Sequence, residues 1–183
     1  MNINFATAQY TGGGIYIYYG QLENGDYFRT GDGEDFIEIC DAYAGTDDAD
    51  YSEFYEEHRI KTLTDYSYIV LWNNILNWII KNNPKGNYLS SELEDRIIDI
   101  NPNIVEAVEY LESWDAEATK ENLIKVFKTW IANLQSQIGP EAHKRLMVNG
   151  VTLGTNITWD EVDKVHLRKI EEYQQCLKEL EEE

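Results

Sequence analysis

The sequence predicts an α+β fold, an N-terminal antiparallel sheet of three or four strands followed by a mainly helical body, and two observations predict it. Between Phe5 and Cys40, short runs of alternating apolar and polar residues are separated by glycine turns, the pattern of half-buried strands. After residue 61, apolar residues recur at spacings of three and four between recognisable helix start and stop signals.

The strands come first. "IYIYYGQL" and "DYFRT" flank Asn24-Gly25, a dipeptide that supplies the positive φ angles of a type I′ hairpin turn. A two-residue loop there sets Glu23 opposite Asp26 and Leu22 opposite Tyr27. Like charges facing each other destabilise a sheet, so such a tip departs from what folding alone favours. "EDFIEIC" after Gly31-Asp32-Gly33 supplies a third strand, and "NFATAQY" before Gly12-Gly13-Gly14 a fourth.

Residues 48–60, "DADYSEFYEEHRI", fit a short amphipathic helix with Tyr51, Phe54, Tyr55 and His58 on one stripe. Asp50, Glu53 and Glu57 then line the opposite face with Glu56 beside them, and Asp47 or Asp48 caps the start. "TDYSYIVLWNNILNWIIKNN" runs from a Thr64 cap towards Pro84 and is apolar nearly all round, the mark of a buried helix. Ser91 and Glu94 read as a capping box opening "SSELEDRIIDI", Asn101-Pro102 starts the next helix, and Asp115 starts another that ends before Gly139-Pro140. "MVNGVTLG" around Asn149-Gly150 reads as a small hairpin. Thr158 caps a long C-terminal helix with Val162, His166, Ile170, Tyr173, Leu177 and Leu180 on one face. That face suits packing on the chain's own body and a homodimer seam equally. The expected division is 1–60, acidic sheet plus short helix, and 61–183, helical, within a length that also suits one compact domain.

Hydrophobic residues at 43%, aromatics at 13% and only three prolines are enough to build a core, which sets the chain apart from acidic disordered segments. Cys40 and Cys176 form no C-x-x-C pair, which favours a reducing cytoplasm. The N-terminal "MNINFATAQY" has neither a basic nor an apolar leader region, so no secretory signal is expected. The most apolar stretch, Tyr66 to Ile80, is broken by three asparagines and falls short of the roughly 20 residues a bilayer requires. No membrane role is expected.

The charge is the outlying property. With 34 acidic and 15 basic side chains the net charge is −19, and residues Asp32 to Glu57 hold eleven carboxylates without one Lys or Arg. Acidity favours solubility, but a magnitude of about 2 to 8 suffices for a small domain. No nucleophile elbow, phosphate loop, zinc-helix or kinase motif is present, so no catalytic residue and no cofactor is assigned. His58, His143 and His166 are not at ligand spacing, and acids around Cys40 blunt a thiolate. Asp32, Glu34 and Asp35, or Asp47, Asp48 and Asp50, offer hard oxygens to a divalent ion without matching a calcium loop; a metal-dependent hydrolase is the reading that would use them.

Carboxylates three and four residues apart on a helix lie about 5–6 Å apart at Cβ, a scale similar to a row of phosphates. Placed beside Glu34, Asp35 and Glu38, the Asp50, Glu53, Glu57 stripe forms an elongated negative surface, with Glu23 and Asp26 at the hairpin tip in support. In this character, small, acidic and rich in Tyr and Asn, with an acidic hairpin and a helical remainder behind "MNIN", the chain resembles phage and mobile-element anti-defence proteins. The nearest in character are the DNA-mimicking anti-CRISPR proteins that inhibit type II-A Cas9. The resemblance implies a non-enzymatic inhibitor that occupies a basic nucleic-acid channel or the site that reads the protospacer-adjacent motif. Its partner-binding residues would be Glu23, Asp26, Asp32, Glu34, Asp35, Glu38, Asp47, Asp48, Asp50, Glu53, Glu56 and Glu57. An acidic phage interaction or structural protein is the milder alternative. Direct nucleic-acid contact through Lys120, Lys125, Lys128, Lys144 and Arg145 would have to work against the field of the whole chain.

Overall fold

In the computed structural model, which describes residues 1–34, 36–40, 63–82 and 90–182, the N-terminal alternation becomes a four-stranded antiparallel meander in the order β1-β2-β3-β4. Its strands are β1 (Ile3–Gly12), β2 (Ile15–Leu22), β3 (Tyr27–Gly31) and β4 (Glu38–Cys40). The expected helix over 48–60 lies outside the described residues. Two compact units are present, Met1–Ile100 and Asn101–Glu183, so the first contains the long apolar helix that the sequence reading grouped with the helical body.

The β2–β3 turn corrects the sequence reading. Gln21, not Leu22, pairs with Tyr27, and the Leu22 N–H reaches Asp26 O at 2.8 Å while Gly25 N–H reaches Leu22 O. This is a three-residue loop, with Gly25 alone at positive φ (95°). Asn24 uses its side chain instead, accepting the Asp26 N–H at 3.1 Å. Leu22 therefore faces Asp26, and Glu23 sits in the turn without a like charge opposite.

One face of the sheet presents Ala6, Ala8, Tyr16, Tyr18, Leu22, Phe28 and Ile39 to helix α1 (Asp65–Asn82), which answers with Leu71, Trp72, Ile75, Leu76 and Ile79. Gly20 lets the sheet close: a Cβ there would lie 2.1 Å from the Phe5 carbonyl oxygen and 2.8 Å from the Phe28 ring. Thr64 caps α1 through the Ser67 N–H, as its sequence indicates. The α2 helix (Ser90–Glu94) is a single turn, so Ser91 lies within it and not at its cap. The chain beyond α2 is pinned to α1 by polar groups: Asn73 both donates to and accepts from Ile98 at 2.7 and 2.9 Å, and the Trp72 indole donates to Arg96 O. Asn73, which interrupts the apolar run in sequence, is thus a buried and satisfied anchor.

The second unit is helical. Asn101 caps α3 (Pro102–Ser113), Thr119 caps α4 (Lys120–Gln135), and Pro140 opens α5 (Pro140–Val148). Asp115 does not start α4. It takes φ 56° as α3 ends, with the Ala116 N–H bonded to Leu111 O and its own to Glu112 O, a Schellman motif in which aspartate holds the usual glycine place. The segment read as a hairpin is the same motif ending α5, with Gly150 at φ 87° and Val151 N–H bonded to Leu146 O. Thr158 and Glu161 form a reciprocal capping box on α6 (Trp159–Glu182). Ile170, Tyr173, Cys176 and Leu180 of α6 are buried in this unit, whereas Val162, His166 and Leu177 are half-buried. The C-terminal part of the apolar face is therefore occupied within the chain. Among the described residues no helix is long and apolar enough to cross a membrane.

Candidate functional site

The densest polar constellation is built where β2, the end of β3 and α2 meet. Alternation along β2 sends Tyr16 and Tyr18 to one face, and the turn after β3 aims Asp32 between them. The Asp32 carboxylate accepts the Tyr18 hydroxyl at 2.7 Å, the Tyr16 backbone N–H at 2.9 Å and Arg96 Nε at 3.0 Å. Arg96 also donates to the carbonyls of Glu92 and Gly14 and lies over the Tyr16 ring, 5.4 Å from its centroid. The Tyr16 hydroxyl closes the circuit on Glu92 at 3.0 Å. Burial and then the bond to Asp32 push the Tyr18 hydroxyl far above its ordinary pKa; burial and Glu92 raise that of Tyr16. Both phenols stay protonated donors across the physiological range. The guanidinium is also held charged: burial opposes it, but the Asp32 bond prevails.

Beside this network opens a pocket of about 460 Å³, bounded by Gly14, Asp32, Glu34, Tyr68, Trp72 and Arg96. Tyr68 and Trp72 are stacked at 16° along its α1 wall. Asp32 and Arg96 at its base already serve the fold. The chemistry is that of a clamp joining two turns and a helix.

The expected partner-binding carboxylates fall into three groups. Asp32, only 16% exposed, is consumed by the clamp, and Glu38 faces Arg29 across β3 and β4 with 3.9 Å between charged atoms. Glu23 accepts from Asn2 at the exposed hairpin tip, Asp26 from Asn24, and Glu34 closes a turn on Gly31 while its carbonyl accepts the Tyr68 hydroxyl. Asp35, Asp47, Asp48, Asp50, Glu53, Glu56 and Glu57 lie outside the described residues. Among the described residues, no three His, Cys, Asp or Glu side chains gather as metal ligands.

Sequence reasoning missed Arg96, although one signal pointed to it: it is the only Lys or Arg between Lys85 and Lys120, set among four acids in "SSELEDRIID". It also missed the tie between α5 and α6. There His143 Nε2 and Asp163 share a hydrogen bond of 2.8 Å, the imidazole stacks on Trp159, and Asp163 also accepts the Gly139 N–H. Burial acts to raise the Asp163 pKa, but these two bonds prevail and lower it. Compared with protein-family models, curated proteins and solved structures, the chain finds no match.

Proposed function

We propose that this protein is a non-enzymatic inhibitor that binds a basic nucleic-acid enzyme through the carboxylates of its N-terminal third and keeps nucleic acid out of it. The observation that carries the reading is the run of eleven carboxylates from Asp32 to Glu57 with no basic residue among them. Such a row attracts a groove evolved to neutralise phosphate, by the same counterion release that drives DNA binding with the roles exchanged. A Cas9-type nuclease in the cytoplasm of a bacterial host is the target class that the resemblance to DNA-mimicking anti-CRISPR proteins implies.

Internal bonding narrows the contact set. Asp32 and Glu38 have cationic partners within the fold, and the proposed contacts are Glu23 and Glu34 with Asp26 beside them at the hairpin tip, together with Asp35, Asp47, Asp48, Asp50, Glu53, Glu56 and Glu57. The test is a cleavage assay with purified Cas9 and with a restriction enzyme, run beside binding at low and high salt. Reversing Asp50, Glu53 and Glu57 to Lys removes most of the affinity and the inhibition, and salt weakens binding of the unaltered protein steeply. Full inhibition by the reversed variant would sink the proposal.

A further inference from the structure

The second unit holds a groove between α3 and α4 that the acidic N-terminal third does not account for. One stripe of α4, built at spacings of three and four, lines it with Asn122, Lys125, Thr129, Trp130 and Asn133, and α3 adds Tyr110, around a volume of about 300 Å³. The same helix buries Leu123, Phe127 and Ile131 in the core, so the stripe is what folding leaves over. Its rings are fixed in advance: Trp130 packs against Phe127, Tyr173 and Tyr110 with centroids 5.8, 5.2 and 5.5 Å away. Tyr110 is 45% exposed. Small-molecule sites take this form, a concavity of roughly 300–1,000 Å³ with aromatic walls and a few polar groups.

The lining's charge decides the class of occupant. Among the described residues Lys125 is its one charged side chain, and none of the α3 glutamates lines it. The ammonium lies 3.3 Å from Asn122 Oδ1, and Asn122 is itself held by its Nδ2, which donates to the Glu117 carbonyl at 2.9 Å. Although acids outnumber bases 34 to 15 in the chain, Lys125 has no carboxylate partner among the described residues. Nor is α4 acidic: it carries Lys120, Lys125 and Lys128 against Glu121 alone, net +2. Asn133, whose side chain makes no hydrogen bond within the described residues, adds an amide donor. An ammonium and an amide N–H beside aromatic walls suit an anionic group carried on a ring.

We propose that this groove binds a small aromatic anion, a carboxylate or sulfonate on one or two fused rings, with the ring against Tyr110 and Trp130 and the acid group on Lys125 and Asn133. The site is independent of the proposed inhibitory surface, which belongs to the N-terminal third.

Two dyes with one ring framework read the rings and the charge separately: 1-anilinonaphthalene-8-sulfonate, an anion, and N-phenyl-1-naphthylamine, which lacks the sulfonate. Each is titrated into the full chain and followed by its fluorescence at about 150 mM NaCl, where a Debye length of about 8 Å screens the distant acids. The anion should saturate a single site. Lys125→Met, at an exposed position, should weaken it about three- to five-fold, the upper range for an ion pair open to solvent, and leave the neutral dye unchanged. Tyr110→Ala should weaken both dyes alike, by about three-fold or more, because the ring contact is common to them. Far-UV circular dichroism checks that both variants keep the fold. Equal losses for the two dyes in Lys125→Met overturn the anionic class of ligand. Unchanged binding of the anion in either folded variant, or no saturable binding to the unaltered protein, overturns the site.

Discussion

Asp32 shows how little a carboxylate's place in an acidic run says about its task. It belongs by sequence to the longest stretch of uncompensated charge, yet its two oxygens accept from Tyr16, Tyr18 and Arg96. Its neighbours in sequence, separated by a glycine turn, do not share that position. Removing the carboxylate leaves a largely buried hydroxyl and a half-buried guanidinium without their acceptor. Breaking a fully buried pair costs about 3–5 kcal/mol, and the residual exposure of the two side chains, 25% and 16%, screens part of that. Asp32→Ala is therefore expected to destabilise the protein by about 2–3 kcal/mol, and Asp32→Asn, which keeps an acceptor for Tyr18, by less. Urea unfolding read by circular dichroism measures both. A midpoint within error of the unaltered protein for Asp32→Ala would mean that the clamp is not what holds α2 against the sheet.

At the scale of elements, the sequence was most legible where one signal had one meaning. The Thr158 cap, the Asn101-Pro102 start and the apolar α1 all stand where their residues indicate. The errors fall where a residue type serves two structures. Asn-Gly indicates a type I′ turn, but it equally closes a three-residue loop when the asparagine bonds through its side chain, and choosing between them needs the register of the whole hairpin. Aspartate caps helix starts, yet Asp115 ends a helix in the left-handed region. Arg96 and Asp32 are 64 residues apart, and no local pattern joins them. The Asp115 assignment is directly testable. A non-glycine residue in that conformation costs about 1–2 kcal/mol, and glycine's greater freedom in the unfolded chain returns about 0.5–1 of it. Asp115→Gly should stabilise by about 0.5–1 kcal/mol, seen as a higher urea midpoint with an unchanged slope. A lower midpoint would show that the aspartate side chain contributes more at this stop than its backbone conformation costs.

For the whole molecule, the division into two units splits what the sequence presents as one charge excess. Met1–Ile100 holds 18 acidic and 6 basic side chains, net −12, and Asn101–Glu183 holds 16 and 9, net −7. Each has its own interior: the sheet closes on α1 in the first, and Leu123, Phe127, Ile131, Ile170, Tyr173 and Leu180 fill the second. A unit with its own core can fold without the other. Residues 101–183 made alone should therefore give a helical, cooperative thermal transition, and residues 1–100 a second, independent one. Small domains of this length are marginal because they bury a lower fraction of their surface, so both transitions should fall below that of the full chain. Once folding is established, the fragments divide the binding. Salt-sensitive retention of a basic enzyme is expected to follow residues 1–100, where the row of eleven carboxylates lies. If the salt-sensitive binding instead travels with 101–183, the N-terminal row contributes solubility alone, and the carboxylates of the second unit become the principal contact.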